Sequence, residues 1–316
     1  MTFFADHGAD GQVQKWRLYY LGLTLPTSIP AAITAGSHTV TPGTMYGVSV
    51  GTVLGITDIF ETRVVTAPSP ATSGTSLVIT TGDGAKLPGT PFYMLVWDTA
   101  ATPVAPFVEI LTVTAVSGDT LTITRAVTNQ RTIIVGDSLA MCLVGGGPTT
   151  ESVTVSGTAT TTFTATFANP HAAGFVVSIP IPQYWTDCDL DIVTTGGVSG
   201  AHLWTAKPIL AGPVSQQPDG ASASFGLGDA DGDYFAVFAA NNGGELADAA
   251  IYEAGFLITN QTPTPDEVLQ LFSGKIDRAT ANSATQDTID IVLMPTVQQN
   301  AAMLPVRLVS SLVRVT

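Results

Sequence analysis

The stretch Val108-Glu109-Ile110-Leu111-Thr112-Val113-Thr114-Ala115-Val116-Ser117-Gly118-Asp119-Thr120-Leu121-Thr122-Ile123-Thr124-Arg125 reads as two strands around a tight turn. Apolar residues and threonines alternate on both sides of Ser117-Gly118-Asp119, which predicts a hairpin with one face buried and one face wetted by hydroxyls. Threonine is β-branched, so it fits a pleated surface while keeping an uncharged face hydrated. Glu109 and Arg125 fall on the two paired segments, placed for a cross-strand ion pair with a structural role.

The same pattern continues along the chain. Ser152 to Ser156, Thr160 to Phe167 and Phe175 to Pro180 alternate or run apolar over strand-length windows. The 31 Gly and 20 Pro place turn signals between these runs at the spacing of sandwiches and barrels. One helical candidate exists, Thr264-Pro265-Asp266-Glu267, whose order matches a capping box. Val268 to Ile276 also fits a strand, and the all-β surroundings favour that reading. The expected fold is therefore all-β with very little helix.

Composition narrows the function. Charged residues are 11% of the 316, against about 25% in an ordinary soluble domain, so hydroxyls must solvate much of the surface. Such a surface suits packing against copies of itself without charge repulsion. The net charge of −14 and a pI near 4.3 argue against nucleic-acid binding, which needs a basic stripe, and against attraction to an anionic membrane. The densest basic cluster is Lys15 and Arg17. No apolar run is long enough to span a membrane, and Met1 to His7 lacks the regions of a signal peptide.

Three regions follow from the punctuation. Residues 1–60 mix Trp16, Tyr19 and Tyr20 with Pro-broken Thr/Ala/Ser segments and read as an N-terminal attachment segment. Residues 61–146 form a small, hairpin-rich β module that ends at Gly145-Gly146-Gly147-Pro148. Residues 147–316 have the size of one jelly-roll-like β-sandwich.

Little catalytic chemistry is written in the chain. Cys142 and Cys188 sit in different regions and read as two unpaired, half-buried thiols. Asp229, Asp231 and Asp233 alternate, but the Gly and Glu spacing of an EF-hand loop is missing. They read as a polar hairpin turn, with a structural Ca²⁺ as the sharper alternative. Asp187, Asp189 and Asp191 alternate as if on one strand face, solvated or arranged around an oligomer axis. His7, His38, His171 and His202 lack ligand-spaced partners and read as turn or packing residues. No nucleophile elbow, P-loop, dinucleotide fingerprint or HExxH occurs, so neither an enzyme nor a cofactor is expected.

The hairpin, together with Leu87-Pro88-Gly89-Thr90-Pro91-Phe92 before it and Ile134-Val135-Gly136-Asp137 after it, resembles a small β module of bacteriophage tail, fibre and other virion proteins. In place of a Gly-rich loop after Arg125, this chain carries Ala126 to Ile133. The region from Ile179 to the end is similar in architecture to the sandwich domains of phage fibre-like proteins. The resemblance implies a virion structural protein assembled in a bacterial host: a surface fibre, spike or minor tail protein involved in attachment. A capsid decoration or neck protein is the alternative, and a polysaccharide-degrading enzyme is the remoter one. It also implies other virion proteins bound through the N-terminal region, a homo-oligomer with a trimer first, and contact with a host glycan. Tyr184, Trp185, Trp204 and Tyr234 are the candidate receptor contacts, with core or intersubunit packing as their competing reading.

Overall fold

The computed structural model describes residues 13–98, 108–125, 130–217, 220–228, 238, 247–257, 265, 267–281 and 288–295. They form a nearly all-β, sandwich-type protein organised as nested insertions. The chain opens with β1 (Val13–Leu21). Next come β2 (Thr24–Ile29), β3 (Gly36–Val40) and β4 (Val53–Thr57). β5 (Glu61–Thr66), β6 (Ser76–Ile79), β7 (Phe92–Trp97), β8 (Val108–Ser117), β9 (Thr120–Thr124) and β10 (Ser138–Cys142) close into a barrel of order β10-β5-β6-β9-β8-β7.

After the barrel, β11 (Thr150–Thr158), β12 (Phe163–Phe167) and β13 (Phe175–Pro180) rejoin the strands before it. Together they make a six-stranded sheet of order β2-β13-β4-β11-β12-β3. The remaining strands are β14 (Gln183–Thr186), β15 (Ile192–Thr195), β16 (Ala201–Ala206), β17 (Ile209–Gln217), β18 (Gly220–Gly228), β19 (Asp248–Leu257), β20 (Glu267–Ala281) and β21 (Thr288–Met294). They take β1 into a nine-stranded sheet of order β15-β16-β14-β1-β19-β20-β21-β18-β17. Two compact units result, residues 1–25 with 181–316, and residues 26–180.

This division differs from the one expected from sequence. The barrel strands run from Glu61 to Cys142, inside the expected 61–146 module. The described part of the expected segment, residues 13–60, is however not separate. β1 pairs with β14 on one side and with β19 on the other, in the middle of its sheet, and β2 to β4 belong to the six-stranded sheet. The Gly145-Gly146-Gly147-Pro148 stretch is no free linker. Leu143 N–H donates to the Gly147 carbonyl, Gly146 N–H to Leu143, and Cys142 bridges to Pro148, so the glycines make a tight turn. Residues 147–180 accordingly belong with the strands before the barrel.

In the barrel the period-2 pattern places Phe92, Met94 and Val96 of β7, Leu111 and Val113 of β8, and Leu121 and Ile123 of β9 in one core. The hairpin β8–β9 turns at Gly118, whose φ of +57° is the left-handed value that a two-residue turn requires. Asp119 accepts hydrogen bonds from Gly82 and Gly84 N–H at 2.9 and 3.0 Å, docking the turn on a neighbouring segment. Gly84 has no alternative there, because a Cβ would overlap the Gly118 carbonyl. The strand reading of Val268 to Ile276 holds. β20 is continuous through it, against the local helix-capping pattern, because two neighbouring strands satisfy its backbone.

Two buried charge clusters hold unit 26–180 together. Glu109 and Arg125 occupy inward positions of β8 and the end of β9, and they form the expected ion pair. Arg125 Nε donates to Glu109 Oε1 at 2.8 Å and its Nη2 to Oε2, with both side chains at most 3% exposed. Arg125 also donates to the carbonyls of Ala71 and Arg131, while Glu109 Oε2 accepts the Arg131 N–H at 3.0 Å. Arg131 in turn reaches Asp137 at 2.9 Å. Burial pushes the Asp137 carboxyl up, opposed by the Ile134 N–H and by Arg131. Beside the six-stranded sheet His171 packs against the rings of Phe167 and Phe175, and its Nε2 is 2.7 Å from Glu151 Oε1. It is a buried packing residue, as its isolation in the sequence implied.

Candidate functional site

The nine-stranded sheet carries aromatic residues on both faces, and the alternation along β1 sorts them. Tyr19 stands opposite Trp185, and Tyr20 opposite Tyr184. Tyr19 and Trp185 are fully buried, and the sheet coils so that Phe225 of β18 packs on Tyr19 with ring centroids 4.5 Å apart. On this face Arg17 Nη1 donates to the Gly212 carbonyl, and Asp187 accepts the Arg17 N–H at 2.7 Å. Burial pushes the Tyr19 hydroxyl far above its ordinary range, reinforced by the Asp187 charge. It is a core residue with a neutral hydroxyl.

The opposite face is the candidate site. Tyr184 stacks on His202, with centroids 4.0 Å apart and planes 18° from parallel. Trp204 stands edge-on to Tyr184 at 5.3 Å and to Tyr252 at 5.8 Å, and Tyr20 packs on Tyr184 at 5.3 Å. Leu18, Ile192, Ala254 and Phe256 form the apolar floor, with Trp16 packed against it. Trp204 is completely buried, and its indole N–H donates to Thr194 Oγ1 at 2.9 Å. Thr194 also accepts the His202 N–H and donates to the Gly200 carbonyl, so the hydroxyl fixes both β15 and β16. The half-buried rim is therefore Trp16, Tyr20, Tyr184, His202 and Tyr252.

Burial raises the hydroxyl of Tyr184. For Tyr20 and Tyr252 burial comes first and repulsion from neighbouring phenols adds to it. These groups stay neutral hydrogen-bond donors well into alkaline solution. A rigid face of rings bearing neutral hydroxyls can stack on an apolar ring face and donate at its edge.

The structure thus sorts the four expected contacts. Tyr184 and Trp204 come together, but Trp204 is core, and so is Trp185 on the other face. Tyr234 lies outside the described residues, as do Asp229, Asp231 and Asp233. Trp16, Tyr20, His202 and Tyr252 were not singled out from sequence as contacts. The alternations Trp16-x-Leu18-x-Tyr20 and His202-x-Trp204 carried the signal, since each puts its aromatics on one face.

The aspartates expected on one strand face are not. Residues 187–190 form a bend after β14, because the Asp187 side chain turns back to the Arg17 backbone. Asp191 caps the Ala206 N–H at 2.8 Å, and Asp189 is exposed. Among the described residues no cluster of three or more His, Cys, Asp or Glu could hold a metal. Cys142 and Cys188 are free, and burial pushes the Cys142 thiol up to about 11, away from reactivity.

Asp187 gives a pH signature. Burial raises its carboxyl above 3.8, opposed by the Arg17 N–H, the Arg17 charge and the Tyr19 hydroxyl. Between 3.8 and the raised value the folded chain holds a proton that the unfolded chain has lost. Its contribution to stability is therefore present at low pH and is lost as pH rises through that window. Asp187→Asn removes the titration, so its urea midpoint should gain on the parent's as pH rises through the window and run parallel above it. A constant difference at every pH would refute this.

No protein family matches the chain, and neither does any curated protein. Among solved structures, the inhibitor of motility from Bacillus subtilis (MotI/DgrA) is similar over 65% of this chain and 86% of its own length. The identity is 10% and the TM-score 0.14, a value that implies no shared architecture.

Proposed function

We propose that this chain is a structural component of a bacteriophage particle, displayed at its surface and contacting the host through the aromatic face of the nine-stranded sheet. The observation that carries the reading is the stacked Tyr184–His202 pair, set with Tyr20 and Tyr252 on a rigid sheet in a charge-poor chain. The partner is a host surface glycan, which such rings recognise by stacking. The phage-like hairpin of the barrel supports the virion assignment. Several copies, a trimer first, would sum weak contacts into useful avidity.

A second reading, a decoration or neck protein without host contact, is favoured by a different feature. The loop between β3 and β4 is hydrogen-bonded by Val48 N–H to Met45 and Thr52 N–H to Ser49, yet its Tyr46 and Val50 are 66% and 64% exposed, as is Val53 at the start of β4, at 55%. An ordered loop presenting apolar side chains suits a contact with another particle protein. In the first reading the same loop anchors the chain. An enzyme acting on polysaccharide is the least supported reading.

Particles carrying Tyr184→Ala with His202→Ala separate the two. Attachment predicts normal particle yield with adsorption slowed ~tenfold or more, because multivalent binding amplifies a small loss per copy. Normal adsorption would leave the architectural reading. Absence of the chain from purified particles would overturn both.

A further inference from the structure

The geometry points to a second binding site, for a neutral sugar ring, in the open cleft of about 660 Å³ between β17, β18, β21 and β20. It shares no residue with the aromatic face and rests on the geometry of the cleft alone.

Strand register builds the cleft. Leu210 pairs with Gly226, Gly226 with Asp290, and Asp290 with Thr280, so the four stand in one row across four strands. Ser224 pairs with Val292 and Val292 with Arg278, forming the next row. Side chains of both rows face away from the buried core of Phe225, Leu227, Ile289 and Ile291. Gly226 opens the floor. A Cβ there would lie 3.4 Å from Asp290 Oδ1 and 3.7 Å from Leu210 Cβ, in the space between the two walls.

The walls define the ligand. Leu210 is 80% exposed and supplies an apolar side. Arg278 and Asp290 line the same cleft, and among the described residues no ion pair or hydrogen bond engages either side chain. Arg278 offers only donors, Asp290 only acceptors, and the Ser224 and Thr280 hydroxyls offer both. An anion drawn by Arg278 meets Asp290, and a cation drawn by Asp290 meets Arg278. A ring with hydroxyls at its edge and C–H groups on its face satisfies every wall at once.

Saturation-transfer NMR on the full chain tests this with the methyl glycosides of glucose, galactose, mannose and N-acetylglucosamine, beside glucuronic acid and glucosamine. At least one neutral glycoside should receive saturation. Gly226→Val, which fills the floor with a strand-compatible side chain, should weaken it ~tenfold or more. Asp290→Asn and Arg278→Gln, at exposed positions, should each weaken it and keep the test decisive if Gly226→Val misfolds. Each cleft variant is also made in a Tyr184→Ala/His202→Ala background, which removes any sugar binding by the aromatic face, and the cleft-dependent saturation should persist there. The inference is overturned if, in that background, no neutral glycoside binds, if glucuronic acid or glucosamine binds better, or if binding survives these cleft variants. Such a failure would leave the attachment reading standing, since that one turns on Tyr184 and His202.

Discussion

Arg125→Leu is expected to destabilise the barrel by about 3–5 kcal/mol, the cost of leaving a buried carboxylate without its partner. The substitution strips Glu109 of its bidentate donor and leaves the carbonyls of Ala71 and Arg131 without the N–H groups that now reach them. Hydrogen exchange of amides in β7, β8 and β9 reads the effect locally, which matters in a chain of two compact units. Protection there should fall while β19 to β21 stay as slow as in the parent. Replacing both charges, Glu109→Leu with Arg125→Leu, removes the stranded carboxylate. Elsewhere such apolar exchanges can be neutral or stabilising. Here three backbone groups lose partners as well, so the double variant should remain about 2 kcal/mol or more below the parent. A single variant within about 1 kcal/mol of the parent would mean that water or a rearranged Arg131 takes over the role.

Trp204→Ala should cost about 3–5 kcal/mol in the other unit, as expected for deleting a large, fully buried aromatic side chain. The loss is read from the exchange of β1, β14 and β16 amides, with those of the barrel unchanged. Trp204→Phe keeps most of the volume but removes the N–H that Thr194 accepts, and should cost about 1 kcal/mol. The pair of results distinguishes a core tryptophan from a ligand platform. A platform residue would lose binding with little loss of protection, which is the pattern expected of Tyr184→Ala. Full protection in Trp204→Ala would contradict its place in the core.

The barrel was the most legible part of the chain. Its alternation holds in register through Glu109, Leu111 and Val113 on one strand and Leu121, Ile123 and Arg125 on the other. A charge on each of the two segments announced a cross-strand pair, and the structure adds that the pair is buried. The helix-like start before Val268 was settled in favour of a strand by the same surroundings. Asp187 shows where local reading fails. The spacing of three aspartates looked like a strand, but one side chain found a better partner in the Arg17 backbone and bent the chain.

Tyr184 and Trp185 mark the limit most clearly. Alternation states that two adjacent aromatics on a strand face opposite ways, yet at β14 Tyr184 packs against other rings and Trp185 is buried, so it cannot state which of them is left at a rim. The sequence by itself determined that the chain is all-β, where its tightest hairpin turns, and which of that hairpin's residues point inward, because these depend on neighbours a few residues apart. Only the tertiary structure decided that β1 lies between β14 and β19, that the barrel is an insertion within a sheet, and that Leu210, Gly226, Asp290 and Thr280 stand in one row. Strand pairing joins residues far apart in the chain, and a period of two names the buried face of a strand without naming its partner.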